Sequence, residues 1–139
     1  MAAFNKFQAF VENAVEVCHL GTDQLVVALC AAANAPVATN SILADLTQIA
    51  YTNCSSRNIT TSSSAQTSGT YKLTLADLTL TASGGNIAAF RYVVVYDDTP
   101  TSPADPLVAW YDYGADVTIT NGNSFLIDFD AAAGVLTIV

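Results

Sequence analysis

Basic residues are scarce in this sequence: four Lys and Arg stand against twelve Asp and Glu in 139 residues, a net charge of −8. Tracking a phosphate backbone needs clustered cations, so the composition argues against direct nucleic-acid binding. Charge of either sign is thin, at 12% of residues against 52% apolar, about half the usual charged share. So few charges do not cover an ordinary monomer's surface. The expectation is that Thr, Ser and Asn clothe part of the exterior and that other subunits bury the rest.

No apolar run approaches the roughly 18 to 20 residues that cross a bilayer, and the segment Ala2–Leu20 is interrupted by Lys6, Glu12 and Glu16. A basic n-region followed by a clean apolar h-region is also missing, so no secretory signal is expected. Cysteine is sparse and odd in number: Cys18, Cys30 and Cys54 have no C-x-x-C spacing and suggest neither a disulfide framework nor a zinc site. Half-buried thiols in a protein made in a reducing cytosol are the simplest reading. Asn53-Cys-Ser and Asn58-Ile-Thr match the glycosylation pattern but carry no meaning without secretion.

Catalytic patterns are equally sparse. There is one histidine, His19, and any Ser or Cys triad would have to use it; the adjacent Cys18 points elsewhere on a helix, and no G-x-S-x-G elbow exists. Ser83-Gly84-Gly85 lacks the rest of a phosphate-binding fingerprint. No enzymatic activity, cofactor or metal is therefore expected. Asp97, Asp98 and Asp105 crowd one loop, and Asp112, Asp116, Asp128 and Asp130 lie near strand ends. Without EF-hand spacing these acids read mainly as turn caps and edge protection, with hard-cation binding as the lesser alternative.

What is present is β pattern. From Phe4 to Leu20, Phe7, Phe10, Val11, Ala14, Val17 and Cys18 recur at three- and four-residue steps and predict one amphipathic helix, stopped by Gly21. Asp23–Ala31 is a continuous apolar run bounded by turn residues, a buried strand. Asn40-Ser41 offers a cap for a short second helix through Ile42, Leu43, Leu46, Ile49 and Ala50, with a strand as the alternative. Residues 53–70 are Ser/Thr-rich and nearly without apolar side chains except Ile59, either a flexible linker or an arm ordered against a neighbour.

Tyr71, Leu73 and Leu75 alternate, then the apolar parity changes at Leu78 and Leu80, which predicts a bulge or bend near Ala76-Asp77. Ser83–Asn86 is a turn, and Phe90–Tyr96 reads as a central strand buried on both faces. Three prolines in Asp97–Pro106 make a loop, after which Leu107–Tyr113 resumes a strand with Trp110 on one face and Tyr111 and Tyr113 on the other. Val117–Thr120 and Phe125–Phe129 alternate around Asn121-Gly122 as a hairpin, and Val135–Val139 closes the series. The fold expected is mainly β (α+β): a single domain over 1–139, an antiparallel β-sandwich or meander with one N-terminal amphipathic helix and a second short one.

Six stretches carry a family resemblance: Phe7–Leu29, Asn34–Ala50, Ser64–Asp77, Phe90–Thr99, Asp105–Gly114 and Asn123–Val139. Over nearly its whole length the chain resembles a family of small tailed-bacteriophage proteins associated with virion structural genes. It departs from their commoner form in carrying CSSRNITTSSS, Cys54–Ser64, where a Gly-rich segment is usual. The resemblance implies a capsid decoration or cement protein on the phage head, made in the host cytoplasm, with the major capsid protein as partner and a homotrimer as the expected assembly. A receptor- or glycan-binding module at the tail, using Trp110 and the Asp97–Pro106 loop, is the alternative, and a tail or head-completion subunit is a third. Expected partner contacts are Asn58, Ile59 and Thr60 of the arm, Asp97 and Asp98 of the loop, Trp110, and Ile138 and Val139 at the end.

Overall fold

The computed structural model describes residues 2–139. It is mainly β, with 42% of residues in strands and 9% helical, all sheets antiparallel, as the patterning predicts. In chain order the elements are β1 (Asn5–Lys6), α1 (Phe10–Glu16), β2 (Leu25–Cys30), β3 (Thr61–Thr67), β4 (Thr70–Leu75), β5 (Leu78–Thr81), β6 (Phe90–Asp97), β7 (Leu107–Val117), β8 (Ser124–Ile127) and β9 (Leu136–Ile138). They form a four-stranded sheet β1-β7-β6-β2, a three-stranded sheet β3-β4-β9 and a two-stranded ribbon β5-β8. Among the described residues no helix is long and apolar enough to cross a membrane.

The continuous apolar run at β2 works as the sequence suggests: all six residues are buried, paired with β6 from Leu25↔Asp97 to Cys30↔Tyr92. Its other edge is closed from within the chain. The Val27 amide donates to the Arg57 carbonyl, the Ile59 amide donates to the Leu25 carbonyl (both 2.9 Å), and the Arg57 guanidinium donates to the Val27 carbonyl. Arg57 also stacks 3.6 Å from the Tyr51 ring centre, and the Tyr51 hydroxyl accepts the Leu29 amide at 2.9 Å. The segment 48–59 thus seals a strand edge whose unpaired amides would otherwise be buried without partners.

The amino-terminal helix is shorter than the periodicity predicts. Asn5 and Lys6 pair with Trp110 and Ala109 as strand β1, and only Phe10–Glu16 is helical. Three β-branched valines, Val11, Val15 and Val17, weaken helix formation. Phe4 and Phe7 gain more by packing edge-on against Tyr111 (6.0 Å) and on Trp110 (4.6 Å). Val11, expected on the buried stripe, is 57% exposed, whereas Asn13, expected outside, is buried. The second helix is one 3-10 turn, Leu43–Asp45, held by the Asp45 carboxylate, which accepts the amides of Ser41 (2.8 Å) and Ile42 (3.2 Å).

The Ser/Thr-rich segment is ordered against its own chain. Asn58 bridges to Val26, Ile59 is buried, and β3 pairs with β4 through a Ser68-Gly69 turn. Both turn residues have positive φ (50° and 83°), the primed geometry that matches strand twist. The parity change after Leu75 has the predicted cause: the chain bends at Ala76-Asp77 and passes from the three-stranded sheet into the ribbon. The Asp77 carboxylate accepts the Phe129 amide at 2.9 Å and fixes the bend.

The last four strands exist, but they are not a simple meander. Only β6 and β7 form a hairpin; β8 pairs with β5 and β9 with β4. Val117–Thr120 is not a separate strand opposite Phe125–Phe129: β7 ends at Val117, and the Ile119 carbonyl accepts the Ile87 amide at 2.9 Å. Asn121-Gly122 is a turn anchored on the Ser83–Asn86 turn, with the Asn121 side chain accepting the Gly84 amide and its own amide donating to the Asn86 side chain. The competing non-local partners win because they bury Leu80, Ile87, Ile119 and Phe129 in one core with Phe90, Val94 and Leu107.

Candidate functional site

Strand β7 is where the fold departs most from regular pairing. Tyr92 pairs with Asp112, and two residues further along β6 Phe90 pairs with Val117, so β7 makes five steps where β6 makes two. This bulge turns through Gly114 at φ +91°, a conformation that side-chain-bearing residues rarely adopt. Its start is clamped: Arg91 donates Nε to Asp112 Oδ1 (2.8 Å) and Nη2 to Oδ2 (3.0 Å), and the Gly114 amide donates to Asp112 Oδ1 (2.8 Å). These bonds hold the Asp112 carboxyl below its ordinary range and raise Arg91.

The bulge delivers Tyr113, 56% exposed, to the edge of a groove of about 410 Å³ at the seam between β7 and β8. Phe4, Tyr111, Tyr113, Phe125 and Leu126 line it. Tyr113 meets Phe125 edge-to-face at 5.4 Å and 75°, as Phe4 meets Tyr111 at 6.0 Å and 74°. Buried Val93 and Phe129 lie beneath. Burial pushes the Tyr111 phenol up to about 12, so it stays a neutral hydroxyl.

Asp128 and Asp130 stand at the groove's lip, and no basic residue among the described ones lines it. Asp130 Oδ1 accepts the amides of Ala132 (2.9 Å) and Ala133 (2.8 Å), which shapes the turn to Gly134. Gly134 is irreplaceable there: its φ is +79° and a Cβ would fall 2.6 Å from Lys72 Cγ and 2.9 Å from the Leu73 carbonyl oxygen. Asp128 is exposed, with no hydrogen-bond or ionic partner among the described residues.

A second, more open cleft lies between the turn at His19–Asp23 and residues 99–102. Beneath it Asp97 is fully buried: Oδ1 accepts the Thr99 amide at 3.2 Å, and Oδ2 has no hydrogen-bond partner among the described residues. Burial, with the Asp23 carboxylate alongside, pushes Asp97 up to about 6, and burial beside Asp97 pushes the Cys18 thiol up to about 12. A thiol so held is protonated and a weak nucleophile. His19 is 80% exposed at the side chain, with Nδ1 3.9 Å from Asp23 Oδ2. Among the described residues no three His, Cys, Asp or Glu side chains converge to hold a metal ion, the aspartates of the 97–106 loop included.

The residues singled out in the sequence do not form one site. Asn58 and Thr60 are exposed, but Ile59 between them is 4% exposed and packs in the core, because strand alternation turns it inward. Asp97 is likewise interior, whereas Asp98 is exposed. Neither Ile59 nor Asp97 is placed to touch a partner. Trp110 is half-buried on Phe7 and is absent from the groove. Ile138 and Val139, expected as partner contacts, are 52% and 100% exposed in the single chain. Tyr111 and Tyr113 share a face as their spacing implies, but Phe4, Phe125 and Asp128, which complete the groove, carry no local signal. Gly114 within a strand was the available hint of a bulge.

Comparison of the chain with family models, with curated proteins and with solved structures found no match.

Proposed function

We propose that this chain is a capsid decoration (cement) subunit of a tailed bacteriophage. It assembles in the host cytoplasm onto the completed head, as a homotrimer, and bridges neighbouring copies of the major capsid protein. The observation that carries this reading is the β3-β4 hairpin. β3 is an edge strand of seven residues, TSSSAQT, that carries neither charge nor proline; its register shifts between Thr61 and Ser63, and Ser63–Thr67 pair regularly with β4. Isolated proteins ordinarily guard such an edge, and a strand left open is a template for pairing with another chain.

Two further features support the same reading. No Asp or Glu occurs between Leu46 and Ala76, so the hairpin lies in the longest acid-free stretch of a chain whose net charge is −8. Apolar side chains are left outside at Val11, Val15, Val37, Tyr113, Leu126, Ile138 and Val139. Covering them in an interface of ordinary size, about 800 Å² per partner, stabilises the assembled shell by linkage, because only the assembled state presents the complete partner surface. The test is co-sedimentation of purified protein with heads lacking it: saturable binding at hundreds of copies per head supports decoration.

The aromatic groove favours a second reading, a receptor-binding module of the tail. In that reading Tyr111, Tyr113 and Phe125 take the part that Trp110 was expected to play. Binding to host cells without binding to heads would favour it.

A further inference from the structure

We infer that the groove between β7 and β8 receives a cationic group on an apolar stem, the side chain of a lysine or arginine in an extended segment of a partner protein. Charge complementarity is the first ground. Among the described residues that line the groove, the charged ones are Asp128 and Asp130, and both are acidic. The Lys and Arg side chains of the described residues are committed elsewhere or lie apart. Arg91 is clamped on Asp112, Arg57 is stacked on Tyr51, Lys72 Nζ donates to the Ala132 carbonyl at 3.1 Å, and Lys6 forms no ion pair among the described residues. None of them lies within 4 Å of either lip carboxylate.

Ring geometry is the second ground. Phe4 and Tyr111 stand at 74° to each other, and Tyr113 and Phe125 at 75°. Rings at near right angles make corners. A compact cation is attracted into a corner by ring faces from more than one side, whereas a pyranose needs one broad, open face to stack on. The apolar residues Ile127, Phe129 and Val135 line the same groove and match the methylene stem of Lys or Arg. Anions are opposed by both carboxylates.

This inference concerns the chain alone and does not depend on a phage head being the partner. It is tested by following backbone amide resonances of the intact protein during titration with butylammonium and butylguanidinium, with butanol and methyl glucoside as neutral probes. The expected result is saturable shifts at Tyr113, Leu126 and Asp128 for the cations, with dissociation constants on the order of millimolar. Asp128→Asn, at an exposed position that leaves the fold intact, should weaken them at least about fivefold, as should raising the salt to about 1 M. Equal binding of butanol, or stronger binding of the glucoside, would overturn the assignment. So would cation binding unchanged in Asp128→Asn and in a second variant, Asp130→Asn, which keeps the Oδ1 acceptor of the turn.

Discussion

Arg91 grips Asp112 with two parallel hydrogen bonds, 2.8 Å and 3.0 Å, at the point where β7 leaves its register with β6. Both side chains are more than a third solvated or nearly so (33% and 40%), so the pair contributes little to global stability in water. Its effect is geometric. It holds the first residue of the bulge while Gly114 turns the chain and Tyr113 is set against Phe125.

Asp112→Asn should therefore leave the unfolding midpoint nearly unchanged while displacing Tyr113. The measurement is the pattern of ring-to-ring proton contacts between Tyr113 and Phe125, with butylammonium binding as a second readout. Preserved contacts and unchanged binding would mean that Gly114 alone fixes the bulge.

Asp97 sets a pH dependence of stability. Its carboxyl is pushed from 3.8 up to about 6 by burial, so the folded chain holds that proton more tightly than the unfolded chain. The stabilisation from proton uptake is complete below about pH 4 and is lost as pH rises through about 6, a swing of up to about 3 kcal/mol. Asp97→Asn keeps the Oδ1 acceptor for the Thr99 amide and gives the unpartnered position a donor that faces the Asp23 carboxylate. Urea unfolding at pH 8 should show the variant more stable by about 1 to 3 kcal/mol, with the difference shrinking toward pH 4. A variant less stable than the parent at pH 8 would place the buried charge among the stabilising features.

Much of the architecture is legible in local pattern. Leu25–Cys30 announces a strand buried on all sides, and the parity change after Leu75 announces the bend at Ala76-Asp77. What pattern does not reveal is which strands pair. Val117–Thr120 and Phe125–Phe129 alternate as a hairpin should, yet the distant partners Leu78–Thr81 and Ile87 take their places because they complete the core. The groove escapes for the same reason: Phe4, Tyr111, Phe125 and Asp128 meet only once β1 has joined the sheet and β8 has paired with β5. The helix is shorter than the spacing implies because Phe4 and Phe7, on either side of strand β1, pack instead on Tyr111 and Trp110.

Ile59 distinguishes an anchored arm from a loose one. Its side chain is 4% exposed and its amide donates to the Leu25 carbonyl at 2.9 Å. Ile59→Ala should cost about 2 to 4 kcal/mol in chemical denaturation. Excising residues 58–66, which also removes most of β3, should damage the fold as well as attachment. A cost below about 1 kcal/mol for Ile59→Ala would show the arm to be detachable.

Ile138 lies on β9, paired with Tyr71, and is half exposed. Ile138→Asp should fold with a stability within about 1 kcal/mol of the parent, since the charge remains solvated. It should nevertheless lose attachment if this surface is covered in the assembly. Thermal melting and head co-sedimentation of the one variant separate these effects; full attachment would remove β9 from the interface.

The most direct test of the decoration reading uses the open edge itself. Purified parent protein and the double variant Ser62→Lys, Gln66→Lys are incubated with heads lacking the protein, and bound copies are counted by quantitative mass spectrometry. Both positions are exposed on β3, and edge lysines block strand pairing without disturbing the native sheet. The account predicts hundreds of parent copies per head and a large loss for the variant at unchanged melting temperature. No saturable binding of the parent, or binding at only a few copies per particle, would contradict it.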